Sequence, residues 1–207
     1  MVRLRRSRMA DSADRHYLYQ ESVQDTEAEI DFVEETWQAL RNRPAELLRE
    51  DFCGTANTAC EWVRRDPGHY AIGIDLDSEV LEWGRLNNLS QLSPEEQTRI
   101  ELLEEDVLDV APELADIVLA MNFSYYLFLT RRRMLAYFES VHAGLADDGI
   151  FFLDAYGGYD SHRNIEEERE CDDFTYIWEQ AGFNPIDSTM TCHIHFEFPD
   201  KSRMDRA

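Results

Sequence analysis

Residues 45–77 constrain the fold more than any other stretch of this chain. They open with Ala45-Glu46-Leu47-Leu48-Arg49-Glu50-Asp51-Phe52-Cys53-Gly54-Thr55-Ala56, a short apolar strand that ends in two acids and runs into a turn of mostly small residues. A helix follows through Ala59-Cys60-Glu61-Trp62-Val63. A second apolar strand, Tyr70-Ala71-Ile72-Gly73-Ile74, then ends in Asp75. Strand, tight turn, helix, strand is half of a nucleotide-type βαβ unit, and such units bind ligands beyond the carboxyl ends of their strands.

The turn narrows the ligand. A dinucleotide needs its pyrophosphate cradled by G-x-G-x-x-G at a helix N-terminus. Here the corresponding positions are Phe52, Gly54 and Asn57, so one glycine of three is present. Glu50 and Asp51 would repel a phosphate and attract an ammonium group. A ligand with an adenosine ribose at one end and a cationic amino acid at the other satisfies both conditions, and S-adenosylmethionine is such a ligand.

The rest of the chain fits one domain of 207 residues with room for a real core. Its formal net charge of −23, from 43 acids against 20 bases, opposes phosphate backbones, so no nucleic-acid partner is expected. No apolar run approaches the roughly 20 residues a membrane span needs. Cys53, Cys60, Cys171 and Cys192 show neither CxxC nor zinc spacing and read as reduced thiols of a cytoplasmic protein. Met1–Ala10 carries four arginines, no acid and no secretory apolar core, and reads as a tail preceding a start at Met9.

Taken in order, residues 1–44 read as this tail plus a helical cap, with Val23, Ile30, Phe32, Val33, Trp37 and Leu40 at broken helical spacing. Tyr17 and Tyr19 on that cap are candidates for closing over a substrate, or for plain helix packing. Residues 45–155 read as a Rossmann-like α/β core, a doubly wound and mainly parallel sheet. Its later strands are Arg99–Leu103, the apolar run Ala115–Met121, and Ile150–Asp154 entered through a turn at Asp147-Asp148-Gly149. Residues 156–207 read as an acidic loop, Asp160–Asp173, and a β-hairpin whose strands alternate at Phe174–Glu179 and Cys192–Phe198. His193 and His195 share one strand face there. With no third ligand in place they read as packing or solvated histidines, and no metal site is expected.

By Asp154 the order of motifs resembles a class I S-adenosylmethionine-dependent methyltransferase. The resemblance covers about Leu47–Asp154, and Leu48–Ala56, Trp83-Gly84-Arg85 and Asn122-Phe123-Ser124-Tyr125 resemble an uncharacterised subgroup of methyltransferase domain-containing proteins. It implies S-adenosylmethionine as cofactor, with Glu50–Ala56 as the family's first motif and Glu50, Asp51 and Gly54 near the amino-acid end. Asp75, with Leu76 beside it, falls where the family holds the ribose hydroxyls. Asp106 and Val107 fall near the adenine, and Asn122 where the fourth strand meets the reacting centre. Phe123, Tyr125 and Tyr126 follow as rings able to face a cation, or as ordinary core aromatics. Phe52 and Ala56 depart from the pattern by replacing glycines. The further helix and two strands that usually complete the sheet are not evident, so the chain reads as truncated or completed in another way.

Methyl transfer from a sulfonium disperses charge in its transition state and asks mainly for positioning and exclusion of water. Spacing singles out no acid–base residue. The reading is therefore a small-molecule methyltransferase. A truncated or degenerate cofactor-binding module with a scaffold or regulatory role is the second reading, and the absent glycines disfavour a nicotinamide oxidoreductase.

Overall fold

A computed structural model describes residues 8–110 and 113–207; the reading of Met1–Ala10 as a tail lies outside them up to residue 7. The chain divides into two compact units, Asp25–Ala155 and a second built from the residues up to Gln24 together with Tyr156–Ala207.

The larger unit holds a five-stranded sheet of β1 (Leu47–Asp51), β2 (Tyr70–Asp75), β3 (Ile100–Glu104), β4 (Ala115–Ala120) and β5 (Leu145–Leu153), in the order β3-β2-β1-β4-β5. All four pairings are parallel. Successive strand side chains point to opposite faces, and this chain builds a core on each. Leu48, Ile117 and Leu119 pack on one face against Ile30, Val33 and Trp37 of α2 (Thr26–Leu40), Ala59, Trp62 and Val63 of α3 (Asn57–Arg65) and Leu81 of α4 (Ser78–Asn87). Ile72, Ile74, Val118 and Ala120 pack on the other against Tyr137 and Val141 of α5 (Arg131–Gly144) and against Tyr125 and Phe128. Central strand β4 is buried along its whole length, which is why its sequence is nearly unbroken in apolar residues.

Polar side chains set the element ends. Asp25, Asp77 and Thr130 accept backbone N–H bonds as N-caps of α2, α4 and α5. Asp116, at the amino edge, accepts from the amides of Glu46 (2.7 Å) and Leu47 (3.1 Å) and pairs with Arg43 at 2.6 Å. It fixes the start of β1, at the opposite end of the strands from their carboxyl edge. Ser93 and Glu96 exchange bonds as a capping box, but the turn they start is a short 3-10 segment.

One expectation in this unit is corrected. Asp147-Asp148-Gly149 is not a turn, because β5 begins at Leu145 and runs through it, with a register shift against β4 between Ala115 and Ile117.

The smaller unit carries α1 (Arg15–Val23), capped by Asp14, and an antiparallel sheet. Its strands, in the order β6-β7-β8-β9, are β6 (Ile165–Glu170), β7 (Thr175–Phe183), β8 (Met190–Glu197) and β9 (Arg203–Asp205). The expected hairpin is β7–β8, with a bulge between Gln180 and Gly182. The acidic stretch expected to be a loop instead contributes β6, since every residue from Ile165 to Glu170 finds a partner on β7. Leu18, Phe174, Phe196 and Phe198 form this unit's core, with Tyr19 packed against it and Tyr17 51% exposed. His195 is buried with its ring nitrogens 2.9 Å from Asp205 and 3.0 Å from Glu179. Among the described residues no cluster of His, Cys, Asp and Glu could hold a metal ion, and no helix is long and apolar enough to cross a membrane.

Candidate cofactor site

β1 runs into the turn from Phe52 to Ala56, and the carboxyl end of β2 meets that turn where the Cys53 amide donates to the Ile74 carbonyl at 2.9 Å. The turn's backbone has left-handed torsions at alternate residues: φ is 58° at Phe52, 53° at Gly54 and 55° at Ala56. Glycine takes such torsions freely, whereas a residue with a Cβ pays on the order of 1–2 kcal/mol. The turn thus keeps a path suited to three glycines while only one is present. The two substitutions are absorbed by packing. Phe52 turns its ring to Phe128 (6.0 Å) and Tyr137 (5.6 Å), and Ala56 is fully buried with its amide bonded to the Cys53 carbonyl at 2.8 Å. At Gly54 a Cβ would meet nothing within 4 Å, so the open side of the turn lies there.

This turn is tied to the end of β2. The Gly54 amide donates to Asp75 Oδ2 at 2.8 Å and the Asp77 amide to Asp75 Oδ1 at 3.0 Å. Asp75 stays half-buried, with a further lone pair on each oxygen. Leu76 beside it is 67% exposed.

Glu50 and Asp51 point to opposite faces of β1 and do different things. Glu50 Oε2 accepts the Ala59 amide at 2.9 Å, satisfying an orphan N–H in the first turn of α3, whose N-cap residue, Ala56, has no side-chain acceptor. Burial pushes the Glu50 carboxyl up to about 8, and the charges of Glu29 and Asp75 add to the effect. Glu29, from the first turn of α2, reaches Thr58 Oγ1 at 3.3 Å; burial raises its carboxyl too. Asp51, by contrast, is 2% exposed, and its oxygens are taken by Arg49 (2.6 and 3.2 Å) and the Tyr137 hydroxyl (2.8 Å). Its expected place beside the cofactor's ammonium is therefore corrected: Asp51 belongs to a buried ion pair under the sheet. Burial raises its carboxyl against the pull of Arg49, and burial with the Asp51 charge raises the Tyr137 phenol.

The other candidates divide similarly. Asp106, after β3, accepts the Leu108 amide at 3.0 Å, and its Oδ2 lies 3.7 Å from Arg133. Val107 turns its side chain into the core, while its carbonyl accepts from Ser140 at 2.9 Å. After β4 the chain takes two left-handed residues in succession, Asn122 (φ 56°) and Phe123 (φ 43°). The Phe123 amide donates to Asp154 Oδ1 at 2.6 Å and the Tyr125 hydroxyl to the Asp154 carbonyl at 2.9 Å. Tyr125 is 6% exposed, its phenol pushed up to about 12 chiefly by burial. It belongs to the core, a correction to its reading as a substrate residue. Tyr126 is half-buried, edge-on to Tyr125 at 4.9 Å. Tyr17 and Tyr19 belong to the smaller unit.

Three residues that shape the site, Glu29, Thr58 and Asn88, carried little signal in the sequence, while Gly84 stood within the Trp83-Gly84-Arg85 stretch. Glu29 is one acid among several in its helix. Thr58 sits in a helix start with no polar cap. Gly84 on α4 and Asn88, which caps its C-terminus, hold the Thr55 carbonyl, Asn88 by a 2.9 Å bond and Gly84 by leaving room for it. An isolated glycine inside a helical pattern was the available clue.

The order β3-β2-β1-β4-β5 and the crossing at β1 define a Rossmann-like core, a fold shared with solved methyltransferases. The sequence matches no family model and no curated protein. Solved structures match at low identity. One is an S-adenosylmethionine-dependent methyltransferase from Clostridium acetobutylicum, with TM-score 0.70 and 20% identity over 91% of this chain and 76% of that one. Another is CalS10, an amino pentose methyltransferase from Micromonospora echinaspora, with TM-score 0.69 and 15% identity over 91% of this chain and 78% of that one. A third is the sugar N-methyltransferase KedS8 from Streptoalloteichus, with TM-score 0.64 and 14% identity over 94% of this chain and 78% of that one.

Proposed function

We propose that the core binds S-adenosylmethionine along the carboxyl edge of β1, β2 and β4 and methylates a small molecule. One observation carries the reading: the left-handed pattern at 52, 54 and 56, locked to Asp75 through the Gly54 amide, makes a turn open at Gly54 with the Asp75 carboxylate beside it. The donor set suits a cationic adenosyl ligand and opposes a pyrophosphate. The similarity to sugar and amino pentose methyltransferases supports a small-molecule acceptor.

In this reading Asp75 accepts from the ribose hydroxyls through the lone pairs its two backbone bonds leave. Each charge-assisted bond is worth on the order of 1.5–3 kcal/mol. Leu76, Asp106 and the backbone at Val107 border the adenine. Glu50, with Glu29 behind it, offers carboxyl oxygens as acceptors to the amino-acid end, and Asn122 borders the reacting centre. The bound cofactor would supply an electrophilic methyl group on a sulfonium. The chain's own contribution is positioning and exclusion of water, with Phe123 and Tyr126 as rings near the end of β4.

Calorimetric titration with S-adenosylmethionine, S-adenosylhomocysteine and NADH tests the cofactor assignment, and a methyl-release assay on amino sugars tests turnover. Adenosyl ligands should bind and NADH should not. Tighter binding of NADH, or no binding of either adenosyl ligand, would remove the reading.

A further inference from the structure

The amino edge of the sheet, at the opposite end of the strands from the cofactor turn, carries a hollow of about 300 Å³. It lies between α2, α3 and the residues that lead into β1 and β2. Pockets that take small molecules begin at about this size. Trp37 of α2 and Trp62 of α3 wall it, both buried. Their indole N–H groups are spent on backbone carbonyls, Trp37 on Arg43 at 2.7 Å and Trp62 on Tyr70 at 3.0 Å. The two walls therefore offer ring carbon.

His69 supplies the polar point between them. It is 9% exposed, and its ring stacks on Trp62 with centroids 3.6 Å apart and planes 1° from parallel. Its Nδ1 lies 2.9 Å from the Trp62 carbonyl. A carbonyl oxygen only accepts, so Nδ1 carries the hydrogen and Nε2 of the neutral ring is left with a lone pair. Nε2 bonds to none of the described residues and keeps contact with solvent through the hollow that His69 lines. Stack and hydrogen bond together fix where that lone pair points.

The charge around the opening is negative. Glu46 is exposed, and its carboxylate has no partner among the described residues. Asp66 takes the Gly68 amide at 2.8 Å, and Glu34 lies 3.9 Å from Arg65. Arg65, at the same rim, is already held by Asp31 and Glu61. An anion is repelled here. A metal ion lacks ligands, because no group of three His, Cys, Asp or Glu among the described residues could hold one. We infer that the hollow binds a small aliphatic primary amine. Its ammonium donates to His69 Nε2 and to the Glu46 carboxylate, and its carbon chain lies against the two indoles. An ammonium brings three donors and no acceptor, which matches a lone pair beside a carboxylate, and its bond to the carboxylate is charge-assisted. The inference is independent of the methyltransferase reading, since no residue of the cofactor turn takes part.

The test uses the full chain labelled with nitrogen-15 at histidine and titrated at constant pH. Butylamine is the probe, butanol its uncharged match in length, and inorganic phosphate the anion. The ring-nitrogen signals of His69 should move with butylamine and stay still with butanol and phosphate. Glu46→Gln, at an exposed position, should weaken butylamine binding about threefold or more. His69→Phe keeps the stack on Trp62 and removes Nε2, and should weaken it about tenfold or more. It also loses the Nδ1 bond, so if that variant does not fold, Glu46→Gln decides alone. His69 signals unmoved by butylamine, an equal response to butanol, tighter binding of phosphate, or unchanged affinity in Glu46→Gln would each overturn the inference.

Discussion

Gly84→Ala tests whether α4 sets the shape of the cofactor turn. A Cβ at position 84 would lie 2.5 Å from the Thr55 carbonyl oxygen and 2.9 Å from its carbon. Ordinary contacts between such atoms are about 3.5 Å, so helix and turn must part by roughly 1 Å. Overpacking of this kind costs about 1–3 kcal/mol, and replacing a helical glycine by alanine returns about 1 kcal/mol. The balance is a loss of about 1 kcal/mol, or roughly 2–4 °C in Tm for a chain of this size. Asn88 Nδ2 grips the same oxygen at 2.9 Å, so the displacement passes into the turn and reaches the 2.8 Å bond from Gly54 to Asp75. Affinity for S-adenosylhomocysteine should then fall about tenfold, an energy of about 1.4 kcal/mol. Urea denaturation and calorimetry read the two effects separately. A variant more stable than wild type and binding equally well, as expected for an unconstrained helix glycine, would refute the reasoning.

Three further outcomes are expected. Asp75→Ala should weaken cofactor binding about 10–100-fold, and an unchanged titration would take Asp75 out of the site. Glu50 is held at about 8 against an ordinary 4.5, so it keeps a proton in the native state that the unfolded chain gives up. That contribution to stability is fully present below about 4.5 and lost as pH rises through about 8. Glu50→Gln should therefore lose less stability than wild type between about pH 5 and 9, whereas parallel stability–pH curves would count against a buried, proton-bearing Glu50. Arg49→Met leaves Asp51 buried with only Tyr137 and should cost about 3–5 kcal/mol in urea denaturation, most of it recovered in Arg49→Met/Asp51→Leu. A loss of under about 1 kcal/mol for the single variant would mean that the pair is not dry.

The sheet was legible where burial dictates composition. Ala115–Met121 could be little other than a strand covered on both faces, and Asp75 stood out as an acid closing an apolar strand. The hairpin was legible because Tyr176 and Trp178 alternate with Ile177 and Glu179. Strand β6 was not, because Ile165-Glu166-Glu167-Glu168-Arg169-Glu170 contradicts strand propensity and is held by its pairing with β7. Asp51 was misread for a geometric reason. Two acids in succession on a strand face opposite ways, so only Glu50 shares the face of α3, while Arg49, two residues before Asp51, already named its partner. Left-handed torsions at Phe52 and Ala56 were legible only through the resemblance, which has glycines there, because neither residue favours them by itself.

The grip of α4 on the Thr55 carbonyl has a practical corollary. A turn whose torsions are imposed from a neighbouring helix is no portable cassette: copied alone into another sheet, Phe52–Ala56 would relax into the conformations its side chains prefer. Grafting the ligand edge would mean moving Gly84 and Asn88 with it, and a survey for similar turns would do better to match backbone angles than letters.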